Sequence, residues 1–190
     1  MSIRTNLEHI RERIALAAAR AGRDPSEITL VAVSKTKPCE AIREAVSAGA
    51  TILGENRVQE AESKIAELHD LPAVWHLIGH LQTNKANKAV HLFDLIHSID
   101  SPRLVEAVNR AAQSIGTRQA ILLQVNIAGE EQKFGIAPGE FEHLLDYALA
   151  VPAVEVKGLM VMPPFSENPE EARPYFRALR DLAARYTNEL

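Results

Sequence analysis

The 190-residue chain has the length of one domain, and its 46% hydrophobic content is enough to bury a substantial core. A net charge of -4 and a pI near 6.0 argue against a general nucleic-acid binder, which would show a basic face. Cys39 is the only cysteine, so no intrachain disulfide can form and a reducing compartment is expected.

Residues 2–21 read as a helix: Ile3, Leu7, Ile10, Ile14, Ala17 and Ala18 fall on one stripe, and Gly22 follows as the stop. Arg4, Glu8, Arg11, Glu12 and Arg13 interrupt any signal-peptide core, and no apolar run approaches the roughly 20 residues of a membrane span. The expectation is a cytoplasmic protein. A first strand begins near Ile28 (ITLVAVSK), and Pro38 then opens a helix that Gly49 closes. A second strand from Thr51 (TILGEN) leads into a helix over 57–68 striped by Val58, Ala61, Ile65 and Leu68. A third strand from Val74 (VWHLIG) precedes a short helix over about 83–92. After a fourth strand from Leu95 (LIHSID), Ser101 and Pro102 supply a cap and a first-turn proline for a helix that ends at Gly116. A fifth strand from Gln119 (QAILLQVNI) is followed by a helix over 138–150. The sixth, from Val154 (VEVKGLMVM), precedes a helix capped by Asn168 and Pro169, where Pro174 predicts a kink or a late start.

Six strand–helix units with starts 23, 23, 21, 24 and 35 residues apart demand a parallel sheet with right-handed crossovers. The near-continuous apolar strands suit burial on both faces. Two closures satisfy the pattern: an open doubly wound sheet, or a (β/α) barrel, whose full form needs eight strands and about 250 residues. No Pro/Gly/Ser-rich linker divides the chain, so residues 1–190 are read as a single domain.

In either closure function collects at the carboxyl ends of the strands. Lys35 ends the first, an amine at the mouth of a sheet. Loss of solvation there favours the free, nucleophilic amine that a Schiff-base lysine requires. The plainer alternative is a strand-end lysine that snorkels to water. Lys37 shares its face if both residues are extended. Gly54, Glu55 and Asn56 end the second strand, His76, Gly79 and His80 the third, Ser98 and Asp100 the fourth, Asn126 the fifth and Met160 the sixth. Such a rim suits a polar, anionic small molecule with an electrophilic centre. His76 and His80 have a zinc-like spacing, but the first lies in a strand, Gly79 intervenes and the glutamate of H-E-x-x-H is missing, so no metal is expected. No P-loop, G-x-G-x-x-G or G-x-S-x-G motif occurs.

The segments LVAVSKTKP (30–38), GENRVQE (54–60), WHLIGHLQTNK (75–85), QVNI (124–127), KFG (133–135) and GLMVMP (158–163) occur in an order that resembles the pyridoxal phosphate homeostasis proteins, the YggS-like family. That family is itself similar to the N-terminal barrel of alanine racemase. The resemblance implies an α/β fold, a (β/α) TIM-type barrel of that kind, with about six of its eight strands in this chain. It implies pyridoxal 5'-phosphate as cofactor, Lys35 as the lysine that joins it, and Asn56 and Met160 beside it. Lys37, His76 and Lys133 fall in subsidiary cofactor positions. Arg57 stands where the family usually has an aromatic residue, and Phe134 where a small one is common. The family pattern continues for some forty residues with a Gly-Met-Ser-type strand end and an Arg-x-Gly-Thr segment that hold the phosphate. By resemblance, then, the barrel is C-terminally incomplete, cofactor binding is weakened, and exchange of elements with a second copy could cover the gap.

The expected function is a carrier that buffers the cofactor through a lysine Schiff base and delivers it to pyridoxal-phosphate-dependent apo-enzymes, rather than a catalyst. The protein is expected to be a monomer or an element-swapped homo-oligomer, with neither nucleic-acid nor membrane partners. Two alternatives stay open: a pyridoxal-phosphate-dependent racemase or decarboxylase, and a cofactor-free Schiff-base aldolase.

Overall fold

In the computed structural model, which describes residues 2–130 and 132–189, each predicted strand and helix has its counterpart. Helix α1 (Ile3–Arg20) opens where the Ser2 hydroxyl accepts the Thr5 N–H at 3.2 Å. Strand β1 (Ala32–Val33) is followed by α2 (Cys39–Ser47), β2 (Ile52–Glu55), α3 (Val58–Glu67) and β3 (Val74–Leu77). Then come α4 (Ala86–Leu92), β4 (Leu95–Ile99), α5 (Pro102–Ser114), β5 (Gln119–Gln124), α6 (Phe141–Ala150), β6 (Val154–Met160) and α7 (Arg173–Ala183). Pro102 starts α5 as predicted, but the Ser101 side chain makes no capping hydrogen bond. Asn168 caps only a short 3₁₀ turn, Pro169–Ala172. Helix α7 itself starts late, at Arg173, which leaves Pro174 in the first turn, where its missing N–H has no intrahelical partner to lose.

All six strands are parallel and pair in chain order, β1-β2-β3-β4-β5-β6. A doubly wound sheet reverses direction partway through its strand order; a barrel does not. The unreversed order decides between the two closures left open above. Two faces follow from the register. Glu55, Leu77, Ile96, Ile121 and Val156 are successive partners on the outer row, and Leu53 pairs with Trp75 on the same side. Leu77, Ile96 and Ile121 are fully buried against helix residues such as Ile42, Leu68, Leu104 and Leu144. Each such side chain contributes roughly 1.5–3 kcal/mol through burial.

The inner row runs Val33, Gly54, His76, Leu95, Ala120 and Glu155. This face is less covered than the apolar strands suggest, for Val33 is 49% and Val74 38% exposed. Strand β1 is also much shorter than the predicted run from Ile28. Among the described residues it has a partner on one side only, and a turn ends it immediately after Ser34 donates its N–H to the Gly54 carbonyl. No helix among the described residues is long and apolar enough to cross a membrane.

Candidate functional site

Lys35 is exposed at the carboxyl end of β1, in a tight turn that the Lys37 N–H closes onto the Ser34 carbonyl at 3.0 Å. The amine therefore stands in water on the rim rather than desolvated in a closed mouth. The reason is local: β1 is an edge strand, and Val33 beneath it is half-exposed. Thr36, the third residue of this turn, has φ 62°. A β-branched residue in the left-handed region is a real outlier that surrounding contacts have to hold. The turn also overturns the expectation that Lys35 and Lys37 share an extended face. Lys37 lines a cleft with Ile3, Asn6, Ala32 and Ala41, between α1 and α2.

Three acceptors converge beneath the turn on the Lys64 ammonium of α3. It donates to the Ser34 carbonyl, to Glu55 Oε1 and to Glu60 Oε1, each at 2.7 Å. Ser34 Oγ donates to the same Glu55 oxygen at 2.7 Å, and the Thr36 N–H donates to Glu60 Oε1 at 2.6 Å. Glu55 is fully buried among apolar outer-row residues, and its second oxygen, Oε2, has no partner among the described residues. Burial disfavours the Lys64 ammonium, but its bonds to Glu55 and Glu60 outweigh this, so it holds its proton more firmly than an ordinary lysine. Glu60 is held below the usual carboxylate range, first by Lys64 and then by the Thr36 N–H. Sequence reading missed this cluster. Its signal was nonetheless present: Lys64 occupies a core position between Ala61 and Leu68 on the apolar stripe of α3, four residues after Glu60.

On the inner face His76 is buried, and its Nδ1 lies 3.1 Å from Nε2 of His97. His76 thus pairs with a histidine of the adjacent strand rather than with His80. Burial lowers both rings below the usual imidazole range. His97, with a further push from His76, falls to about 4, so the pair is neutral at pH 7. The sign of the linkage follows. Between pH 6.5 and about 4 the unfolded chain binds a proton at His97 that the folded chain refuses, so stability falls as pH falls through that window. The full effect is about 3 kcal/mol. Denaturant unfolding at pH 7 and pH 4.5 should show His97→Gln losing distinctly less stability than the parent, and equal losses would refute the assignment.

Asn56, at the end of β2, is half-buried, and its backbone lies against Gly79. A Cβ at Gly79 would collide with the Asn56 carbonyl oxygen and lie 2.7 Å from its Cα. Ser98 Oγ fixes the same segment by donating to the Gly79 carbonyl at 2.7 Å. Gly79→Ala must therefore displace the rim at Asn56, at a cost of about 1–3 kcal/mol. Thermal unfolding measures it, and an unchanged midpoint would show that the rim yields freely. Met160 ends β6, half-buried, where its carbonyl accepts the Val125 N–H at 2.9 Å. Lys133 is paired with Glu130 at 2.9 Å in a loop that Asn126 ties down through the Glu130 and Lys133 carbonyls. Phe134 of that loop stacks on His80, with ring centroids 3.7 Å apart. Lys35 and Asn56 thus stand on neighbouring strands, with His76 one strand further on. Met160 and Lys133 belong to the β5–β6 side of the sheet.

Parallel strands in unreversed order, with an exposed amine on the first rim loop, define a (β/α)-barrel protein with a lysine at its carboxyl rim. The family described as "Alanine racemase, N-terminal domain" matches residues 5–190. The pyridoxal phosphate homeostasis protein of Aquifex aeolicus (strain VF5) is 45% identical over 176 residues, 93% of this chain and 77% of that one. PipY of Synechococcus elongatus PCC7942, solved with PLP bound, is 42% identical with a TM-score of 0.80, covering 95% of this chain and 82% of its own. Alanine racemase of Streptomyces coelicolor A3(2), at 23% identity, shares the fold with a TM-score of 0.73 over 96% of this chain and 48% of its own. The chain belongs to the pyridoxal phosphate homeostasis proteins, within the alanine racemase N-terminal domain family.

Proposed function

We propose that this protein binds pyridoxal 5'-phosphate reversibly through Lys35 and acts as its carrier and buffer, without catalytic turnover. The observation that carries the reading is the Lys35 turn: a water-accessible amine at a strand end, on a backbone that Lys64 and Glu60 hold in a strained form. The relatives named for homeostasis and the PipY structure with PLP bound support it. When bound, the cofactor supplies an aldehyde that condenses with an amine, with loss of water, to give a Schiff base.

The residues present fit a flat aromatic aldehyde. Where a Cβ on Gly54 would sit, on the inner row beside Val33, the Val31 and Ile78 side chains close in at 3.0 and 3.1 Å and give an apolar surface below the Lys35 turn. Asn56 offers an amide at the neighbouring strand end. His76 and His97 offer neutral imidazoles, which can donate or accept one hydrogen bond each. Met160 and Lys133 complete the proposed site from the β5–β6 side, with Lys37 as a neighbouring amine. The acidic balance and the free thiol of Cys39 suit a cytoplasmic setting, with apo-enzymes that need this cofactor as recipients. Residues 1–190 act in this reading as one barrel unit.

The test is the absorption spectrum of the purified protein before and after adding pyridoxal phosphate, followed by borohydride trapping and peptide mapping. A visible band and a pyridoxyl mass on the peptide carrying Lys35 are expected, with no racemisation of added L-alanine. Trapping elsewhere, or no trapping, refutes the site; sustained turnover refutes the carrier reading.

A further inference from the structure

We infer that Lys64, with Glu55 and Glu60, positions Lys35 for cofactor capture by fixing the peptide units on both sides of it. The inference rests on the proposed role of Lys35, but its geometry stands apart from that role. Among the described residues Lys64 makes no hydrogen bond to Lys35 and bonds only Ser34, Glu55 and Glu60. It reaches the turn from the helix layer, where it bonds the Ser34 carbonyl while Glu60 accepts the Thr36 N–H. Ser34 is tied a second time through its hydroxyl to Glu55. Through this cluster the residue before Lys35 is held at two atoms and the residue after it at one, all converging on a single ammonium.

Two features distinguish this cluster from an ordinary structural ion pair. Thr36 is in the left-handed region, a conformation a threonine leaves unless it is restrained. The cluster also buries a carboxylate, Glu55, with an unsatisfied oxygen on an otherwise apolar row. Three apolar residues would fill that space with less desolvation. What apolar residues could not do is accept the Thr36 N–H or donate to the Ser34 carbonyl. Without those bonds the turn relaxes and the Lys35 amine explores many directions. Reaction with an aldehyde then loses the advantage of a fixed approach.

The test uses the full chain with the double substitution Glu55→Met and Lys64→Met, and separately Glu60→Ala. The double variant removes both buried charges together, which preserves stability in many proteins. Glu60→Ala removes only the acceptor at the partly exposed margin, so it remains informative if the double variant does not fold. Two quantities are read: amide hydrogen exchange at Thr36, and the rate of borohydride-trapped pyridoxyl labelling of Lys35 with pyridoxal phosphate as the probe. Exchange at Thr36 should rise at least about tenfold, and labelling should slow by about tenfold in the double variant, with a smaller loss in Glu60→Ala. A core variant that loses more stability, Leu145→Ala, should leave both unchanged. Unchanged Thr36 exchange overturns the inference, and so does faster exchange with undiminished labelling. If the parent protein is not labelled at Lys35 while Thr36 exchange rises as expected, the cofactor reading fails and the clamp on the turn stands.

Discussion

Lys35→Ala should abolish the visible band expected of this protein with pyridoxal phosphate and leave the fold intact. The stability half of this expectation follows from placement. Lys35 is exposed, and its side chain makes no hydrogen bond or ion pair among the described residues, so truncation should fall within about 0.5 kcal/mol of neutral. The spectroscopic half follows from how the other rim and neighbouring amines are engaged. Lys64 is held by three acceptors and buried, and Lys133 is paired with Glu130. Lys37 lies two residues away, but the turn sends it to the cleft between α1 and α2. Residual labelling in the variant should therefore be slow and should map to Lys37 or to Lys85, which lines a cavity with Asn56, Gly79 and His80. Far-ultraviolet circular dichroism and the melting midpoint should match the parent within experimental error. A band of full strength in Lys35→Ala would remove Lys35 from the site altogether.

Much of the frame was legible because it depends on periodicity. Apolar runs of four to eight residues, separated by striped segments with Pro and Gly at their ends, mark six β/α units whatever their tertiary setting. The closure was not legible from periodicity. Strand order depends on which edges meet, and only the resemblance favoured a barrel. The site divides in the same way. Lys35 could be picked out by its place at a strand end and by the family motifs around it. Its exposure and its turn could not, because Thr36 gives no sign in sequence that it adopts a left-handed conformation. His97 carries no local signal of its role, since its partner lies on the preceding strand 21 residues earlier. Lys64 was hidden for a related reason: a lysine on a helix is ordinarily read as solvated, and its burial follows from Glu55, which itself was read as a strand-end residue of the rim rather than one facing the helices.

That hidden pair carries the largest stability effect. Lys64→Met alone leaves Glu55 fully buried with one carboxylate oxygen bonded only by the Ser34 hydroxyl and the other unpartnered. Breaking a buried pair by removing one partner costs more than removing both, because the remaining charge keeps its desolvation penalty and loses its compensation. The expected loss is about 3 kcal/mol, a fall of roughly 6–12 °C in melting temperature for a chain of this size. The double substitution should recover most of the loss seen in Lys64→Met, a coupling that a thermodynamic cycle over the four proteins reads directly. Additive losses would mean that Glu55 and Lys64 act independently. The recovery of stability without recovery of Lys35 labelling is the pattern that separates an ion pair placed to hold a reactive turn from one that merely holds the fold.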